Sequence, residues 1–169
     1  MLLLGIDPGP EISGWVVYDT EHRVVRNSGI DPNDDLLLRC QRNDPARTCG
    51  HMAIEMPESR GMGTPISQGL LNTAEWVGIF RHAFGRRFTS RITRRFIKLH
   101  ICEDTRAKDK NIRQALLDMW GGKTKALGRK KSPGPLYGMA SHKWAALAVA
   151  VTWADTHKTR LRGGWMQGE

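Results

Sequence analysis

Two short apolar runs in this chain each carry a carboxylate where a folded domain has little water to offer it. Leu2-Leu3-Leu4-Gly5-Ile6 ends at Asp7 and is broken by Pro8-Gly9-Pro10, the pattern of a buried strand closing in a turn. Met52-Ala53-Ile54-Glu55-Met56, cut off by Pro57, repeats the arrangement with Glu55 inside it. An ionised carboxylate away from water is costly without a partner, and two of them on central strands of one sheet repel each other. Either acid alone could cap a turn or pair with an arginine. The two together favour a shared divalent cation, since Mg²⁺ takes one or two carboxylates plus substrate phosphate.

The rest of the pattern supplies a sheet to hold these strands. Gly14-Trp15-Val16-Val17-Tyr18-Asp19 and Arg23 to Ile30 read as two further strands, pairing with the first as a meander at one side of the sheet. Asn33, followed by Asp34 and Asp35, caps a helix through Leu36-Leu37-Leu38. Leu70, Thr73, Ala74, Val77, Phe80 and Phe84 recur at helical spacing, and Phe96 to Ile101 reads as another strand. Ile112, Ala115, Leu116 and Met119 mark a helix stopped by Gly121-Gly122, and the apolar stretch from Trp144 to Trp153 predicts a buried last helix. Strands first, then strand and helix in alternation, predict an α/β domain: a mixed central sheet of about five strands with helices on both faces. With 169 residues, 40% of them apolar, the chain suffices for one domain over 1–169, ending in a short basic tail at about 157–169.

Charge divides the chain. Residues 1–80 hold six basic and eleven acidic side chains, whereas residues 81–169 hold twenty basic and six acidic. An acidic site facing a basic surface suits a polyanionic substrate, because each neutralised phosphate releases condensed counterions. Lys108, Lys110 and Arg113, with Arg106 just before them, sit where a helix begins. Lys123, Lys125, Arg129, Lys130 and Lys131 lie in the stretch from Gly121 to Gly138, which has five glycines, two prolines and no acid and reads as a flexible loop rather than a packed element. Arg60, in the glycine-rich stretch just after Glu55, is a further candidate for contact with nucleic acid. Contacts of this kind position a backbone without reading bases.

Several classes are disfavoured. No apolar run approaches the length of a membrane span, and the first residues lack the basic start of a signal peptide. Cys40, Cys49 and Cys102 are too few and scattered for a disulfide framework, so a reducing cytoplasmic setting is expected. Cys40, Cys49 and His51 lack the paired spacing of a structural zinc site. Neither a phosphate-binding G-x-x-x-x-G-K-[ST] loop nor a G-x-S-x-G elbow is present, so no nucleotide cofactor is expected.

His142 stands at the mouth of the last apolar helix, and here the chain resembles a known family. Leu4-Gly5-Ile6-Asp7-Pro8-Gly9 with Ser13-Gly14-Trp15 resembles the opening strand of the RuvC-type Holliday-junction resolvases of the RNase H-like superfamily. Ala53-Ile54-Glu55-Met56 resembles their second acidic strand, Thr105 to Leu116 their basic element, and Trp144 to Val151 their final catalytic helix. Glu75-Trp76-Val77-Gly78 and Gly134-Pro135-Leu136-Tyr137-Gly138 are similar to the phage branch, and the likeness runs from Leu2 to Asp155.

The resemblance implies a homodimeric, Mg²⁺- or Mn²⁺-dependent endonuclease that nicks paired strands of four-way DNA, in the cytoplasm of a bacterial or phage-infected cell. Asp7 and Glu55 match the family's first two metal-binding acids and His142 the first position of its last motif. The next ligand, an Asp one turn later in the family, falls at Ala145. Asp155 is too far along the helix to replace it. The expected chemistry is phosphodiester hydrolysis assisted by two ions about 4 Å apart. Asp7 would bridge both ions, Glu55 would hold one, and His142 would hold the other or orient the water. An imidazole ligand favours Mn²⁺ over Mg²⁺. The helix from Leu70 to Phe84, with Trp76 and Phe80, could supply the dimer face, although such aromatics more often belong to the core. The alternatives are a nuclease of the same fold acting on forks, flaps or RNA–DNA hybrids, and a junction-binding protein that has lost activity at Ala145.

Overall fold

The computed structural model describes residues 1–41, 48–58 and 65–162, with side chains as far as His157 in the last helix. Three strands open the chain: β1 (Leu2–Asp7), β2 (Ile12–Asp19) and β3 (Val24–Pro32). After α1 (Asn33–Gln41) come β4 (His51–Met56), α2 (Gln68–Phe84), a short 3-10 turn and β5 (Thr89–Thr93). The remainder is α3 (Arg94–Cys102), α4 (Asp109–Met119), α5 (Lys123–Leu127), the two-stranded ribbon β6 (Gly128–Arg129) and β7 (Ser132–Pro133), and α6 (His142–Arg162). The main sheet has the order β3-β2-β1-β4-β5; β3, β2 and β1 are antiparallel neighbours, while β4 runs parallel to both β1 and β5. This is the expected mixed sheet of five strands.

Each strand sends alternate residues to opposite faces, and two cores result. One face buries Leu3, Val16, Tyr18 and Ala53 against α6, with Ile97 and Ile101 of α3 and Ile112 and Leu116 of α4. The other buries Leu4, Ile6, Trp15, Val17, Met52 and Ile54 against Leu36 and Cys40 of α1 and Val77 and Phe80 of α2. The apolar α6 lies across the centre of the first face, where two glycines admit it. A Cβ on Gly5 would come within 2.6 Å of the Ala146 carbonyl oxygen, and one on Gly14 within 2.6 Å of His142.

Two expectations need correction. Phe96 to Ile101 is helical: Thr93 Oγ1 caps α3 by accepting from the Phe96 N–H, Ile97 and Ile101 are buried one turn apart, and Phe96 and Leu99 face outward. That spacing is a helix's, and the strand is the preceding Thr89–Thr93. The stretch from Gly121 to Gly138 is a packed element, because Ala126 and Leu136 are fully buried and the Leu136 N–H donates to the Ala126 carbonyl at 2.8 Å. On α2, Phe80 is fully buried and half-buried Trp76 leans on it with ring centroids 5.5 Å apart, which is the core placement that such aromatics more often take. The last helix, α6, continues through Arg162.

Candidate active site

The parallel register that pairs Ile6 with Ile54 brings Asp7 and Glu55 side by side at the C-terminal ends of β1 and β4. Both fall on the face that α6 covers. There His142, the first residue of α6, meets Asp7: its Nδ1 lies 3.0 Å from Asp7 Oδ2. Together with Arg94, Asp109, Arg113 and Ala145, all three candidates line one open cavity of about 580 Å³. The turn after Asp7 is braced from below. Asn33 donates through Nδ2 to the Gly9 carbonyl at 3.0 Å and through its backbone N–H to Glu11, and it accepts from the Ser13 hydroxyl at 2.6 Å. The residue expected only to cap α1 thus also fixes the loop that carries the first acid.

Burial governs the electrostatics. Removal from water raises the Asp7 carboxyl, opposed by its hydrogen bond to His142 and by the charge of Arg94. Glu55 is pushed up to about 7, first by desolvation, with the Asp7 and Asp109 charges adding to the rise and Arg94 opposing it. Arg94 Nη1 donates to Glu55 Oε2 at 3.1 Å, and its Nη2 bonds Asp109 Oδ1.

Arg94 and Asp109 escaped the reading of the sequence. Arg94 follows directly on β5, so placing that strand at Thr89–Thr93 would have put it beside Glu55. Asp109 is the one acid in the run Arg106–Arg113 and opens α4.

The donor set suits a hard divalent cation: two neighbouring carboxylates, each disfavoured as an anion by burial, beside an imidazole held by Nδ1. Two features work against tight closure. Ala145 lines the cavity without a donor, and Glu55 already has a cation in Arg94. Among the described residues, no three His, Cys, Asp or Glu side chains are gathered into a ready cluster. The residues therefore fit an ion held chiefly by Asp7 and Glu55, with Arg94 competing for Glu55. Among the described residues, Cys40, Cys49 and His51 are not gathered at one place. Cys40 and Cys49 lie in the second core, whereas His51 is on the α6 side, stacked on Trp153 and bonded to Ser90.

The basic candidates fall into two groups. Arg113 stands at the cavity with its guanidinium 5.1 Å from the centroid of the Trp144 ring, a cation–π contact. Arg106, Lys108 and Lys110 are exposed around the start of α4. Lys123 and Lys125 are exposed on α5, and Arg129, Lys130 and Lys131 at the ribbon, whose register makes Lys130-Lys131 its turn. None of these lysines has an acidic partner among the described residues. Arg60 lies outside the described residues. Asp155 is held far from the cavity by Arg23 at 2.7 Å and by His100 at 3.5 Å. No helix among the described residues is long and apolar enough to cross a membrane.

Sheet order and helix placement define a mixed α/β fold like that of solved RuvC structures. The likeness extends over nearly the whole chain to Thermus thermophilus RuvC, with a TM-score of 0.64, 16% identity, and coverage of 95% of this chain and 97% of that one. It extends equally to T. thermophilus RuvC in complex with Holliday junction substrate, with a TM-score of 0.61, 18% identity, and coverage of 95% and 96%. No family model matches the sequence, and no curated protein matches it.

Proposed function

We propose that this chain is a metal-dependent endonuclease that resolves four-way DNA junctions, acting as a two-fold dimer in the cytoplasm. The observation that carries the reading is the meeting of Asp7, Glu55 and His142 in one cavity, beside exposed basic side chains, on a fold shared with a protein solved with a Holliday junction. Asp7 and Glu55 would hold Mg²⁺ or Mn²⁺, with His142 at hand. When bound, the ion supplies Lewis acidity for attack by water and for the leaving 3′-oxygen. Asp7 fixes His142 through Nδ1, which leaves Nε2 as the ring nitrogen available to an ion or to orient water. Arg113, steadied over Trp144, and the N-terminus of α6 beside it present positive charge to a phosphate entering the cavity. Arg106, Lys108, Lys110, Lys123, Lys125, Arg129, Lys130 and Lys131, with Arg60, would hold the arms of the junction by their backbones. Paired nicks require two cavities related by a two-fold axis, which a dimer supplies.

The test is nicking of a synthetic four-way junction with Mg²⁺ or Mn²⁺, beside fork, flap and RNA–DNA hybrid substrates. Paired symmetric nicks in the junction, lost on chelation, are expected. Preferential cutting of forks, flaps or hybrids would reassign the substrate. Tight junction binding without cutting would favour the binding-protein reading, for which Ala145 and the Arg94–Glu55 pair are the specific observations.

A further inference from the structure

We infer that Arg94 is a resident counter-cation of the acidic site, competing with the divalent metal for Glu55, and that Asp109 is the seat that keeps its guanidinium when the metal enters. This rests on the reading that Asp7 and Glu55 hold the metal. Arg94 opens α3 immediately beyond β5, the strand that runs parallel to β4, so it reaches Glu55 from the neighbouring edge of the sheet. Its planar fork is shared between two carboxylates of very different exposure. Nη1 lies 3.1 Å from Glu55, whose side chain is 14% exposed, and Nη2 bonds Asp109, whose side chain is 80% exposed. A divalent ion seated between Asp7 and Glu55 would find a fixed positive charge on one of its own ligand atoms, and like charges at that separation in a poorly hydrated cavity repel strongly.

Relief needs only a rotation. Asp109 begins α4 at the rim of the same cavity and already holds the second guanidinium nitrogen, so Arg94 can leave Glu55 without leaving its tether. With Nη2 kept on Asp109, Nη1 released from Glu55 is free to donate to a phosphate oxygen entering the cavity. Arg94 would thus act as a positioning residue, coupling arrival of the metal to exposure of a phosphate-binding group.

Mn²⁺ binding to DNA-free protein, read from the electron paramagnetic resonance of the free ion, decides the matter. Arg94→Gln should bind Mn²⁺ on the order of tenfold more tightly than the parent chain. Asp109→Asn should bind it more weakly, and Asp7→Asn should abolish binding in the parent and in Arg94→Gln alike. A gain of affinity cannot arise from damage to the fold, and thermal melting of each variant confirms that it is folded. Unchanged or weaker binding by Arg94→Gln, with Asp7→Asn still abolishing it, overturns the counter-cation and leaves the metal site standing. Unchanged or tighter binding by Asp109→Asn overturns the seat. No binding by either the parent or Arg94→Gln, or binding that survives Asp7→Asn, overturns the metal reading and this inference with it.

Discussion

The sheet buries carboxylates at both ends and treats them in opposite ways. At the far end, Asp19 closes β2 across from Leu2 and is fully partnered. It accepts from Arg26 at 2.6 Å and from the backbone N–H groups of Glu21 and His22, and the His22 ring lies 2.9 Å away. Those partners, Arg26 foremost, hold the Asp19 carboxyl well below the usual carboxylate range. At the cavity end, Asp7 and Glu55 receive one partner each among the described residues, and burial raises both. A carboxylate supplied with all its donors is an anchor; one that is buried with its needs unmet is a receptor for charge from outside. The contrast lies in what surrounds each residue, since all three are acids at the ends of strands.

The contrast breaks most sharply at Asp7. Asp7→Asn should reduce junction nicking by more than about 100-fold while leaving junction binding within a few-fold, measured by single-turnover cleavage beside gel-shift titration. Nicking that persists would remove Asp7 from the chemistry.

Glu55 and Asp19 should then give pH dependences of opposite sign. In metal-free protein Glu55 titrates at about 7 against an ordinary 4.5, so the folded chain keeps a proton that the unfolded chain releases between those values. Stability should fall as the pH rises through that window, by about 3 kcal/mol in all, and Glu55→Gln should flatten the fall. Urea melts in chelator on either side of the window measure it. Asp19, with its folded value depressed, contributes stability that is present in full above the ordinary carboxylate value of 3.8 and lost as the pH falls below it. Asp19→Asn should cost about 2 kcal/mol near neutrality, a difference that shrinks in acid, read by the same melts. Equal slopes for the two variants would erase the distinction between the ends of the sheet. The smallest effect is expected at Arg113: Arg113→Ala should weaken binding evenly across junction sequences and lower the salt slope of affinity by about one.

The sequence carried this comparison only in part. Asp7 and Glu55 were legible because a carboxylate ending an apolar run announces its own cost, and the meander of β1 to β3 because alternation and turns are local signals. His142 was visible as the polar start of an apolar helix, but its contact with Asp7 spans 135 positions and depends on register and helix placement. Phe96 to Ile101 misled because a dense apolar segment fits either period, and only the burial of Ile97 and Ile101 decides between them. That misplacement hid Arg94, whose role follows from being the first residue after β5. The Gly121–Gly138 stretch looked mobile because glycine, proline and lysine dominate it, while Ala126 and Leu136, the two residues that pin it, are a small minority.

The reach from Asp7 to His142 is set by what Gly5 and Gly14 lack. Because these two positions carry no methyl beneath α6, the helix can lie directly on the backbone there, and its first residue arrives at hydrogen-bonding range of the acid. The spacing between Asp7 and His142 is thus written two and seven positions away from Asp7, in residues outside the candidate site. Anyone redesigning this scaffold would have to treat those bare positions as its spacer gauge: thicken either one, and the whole helix rides up away from Asp7.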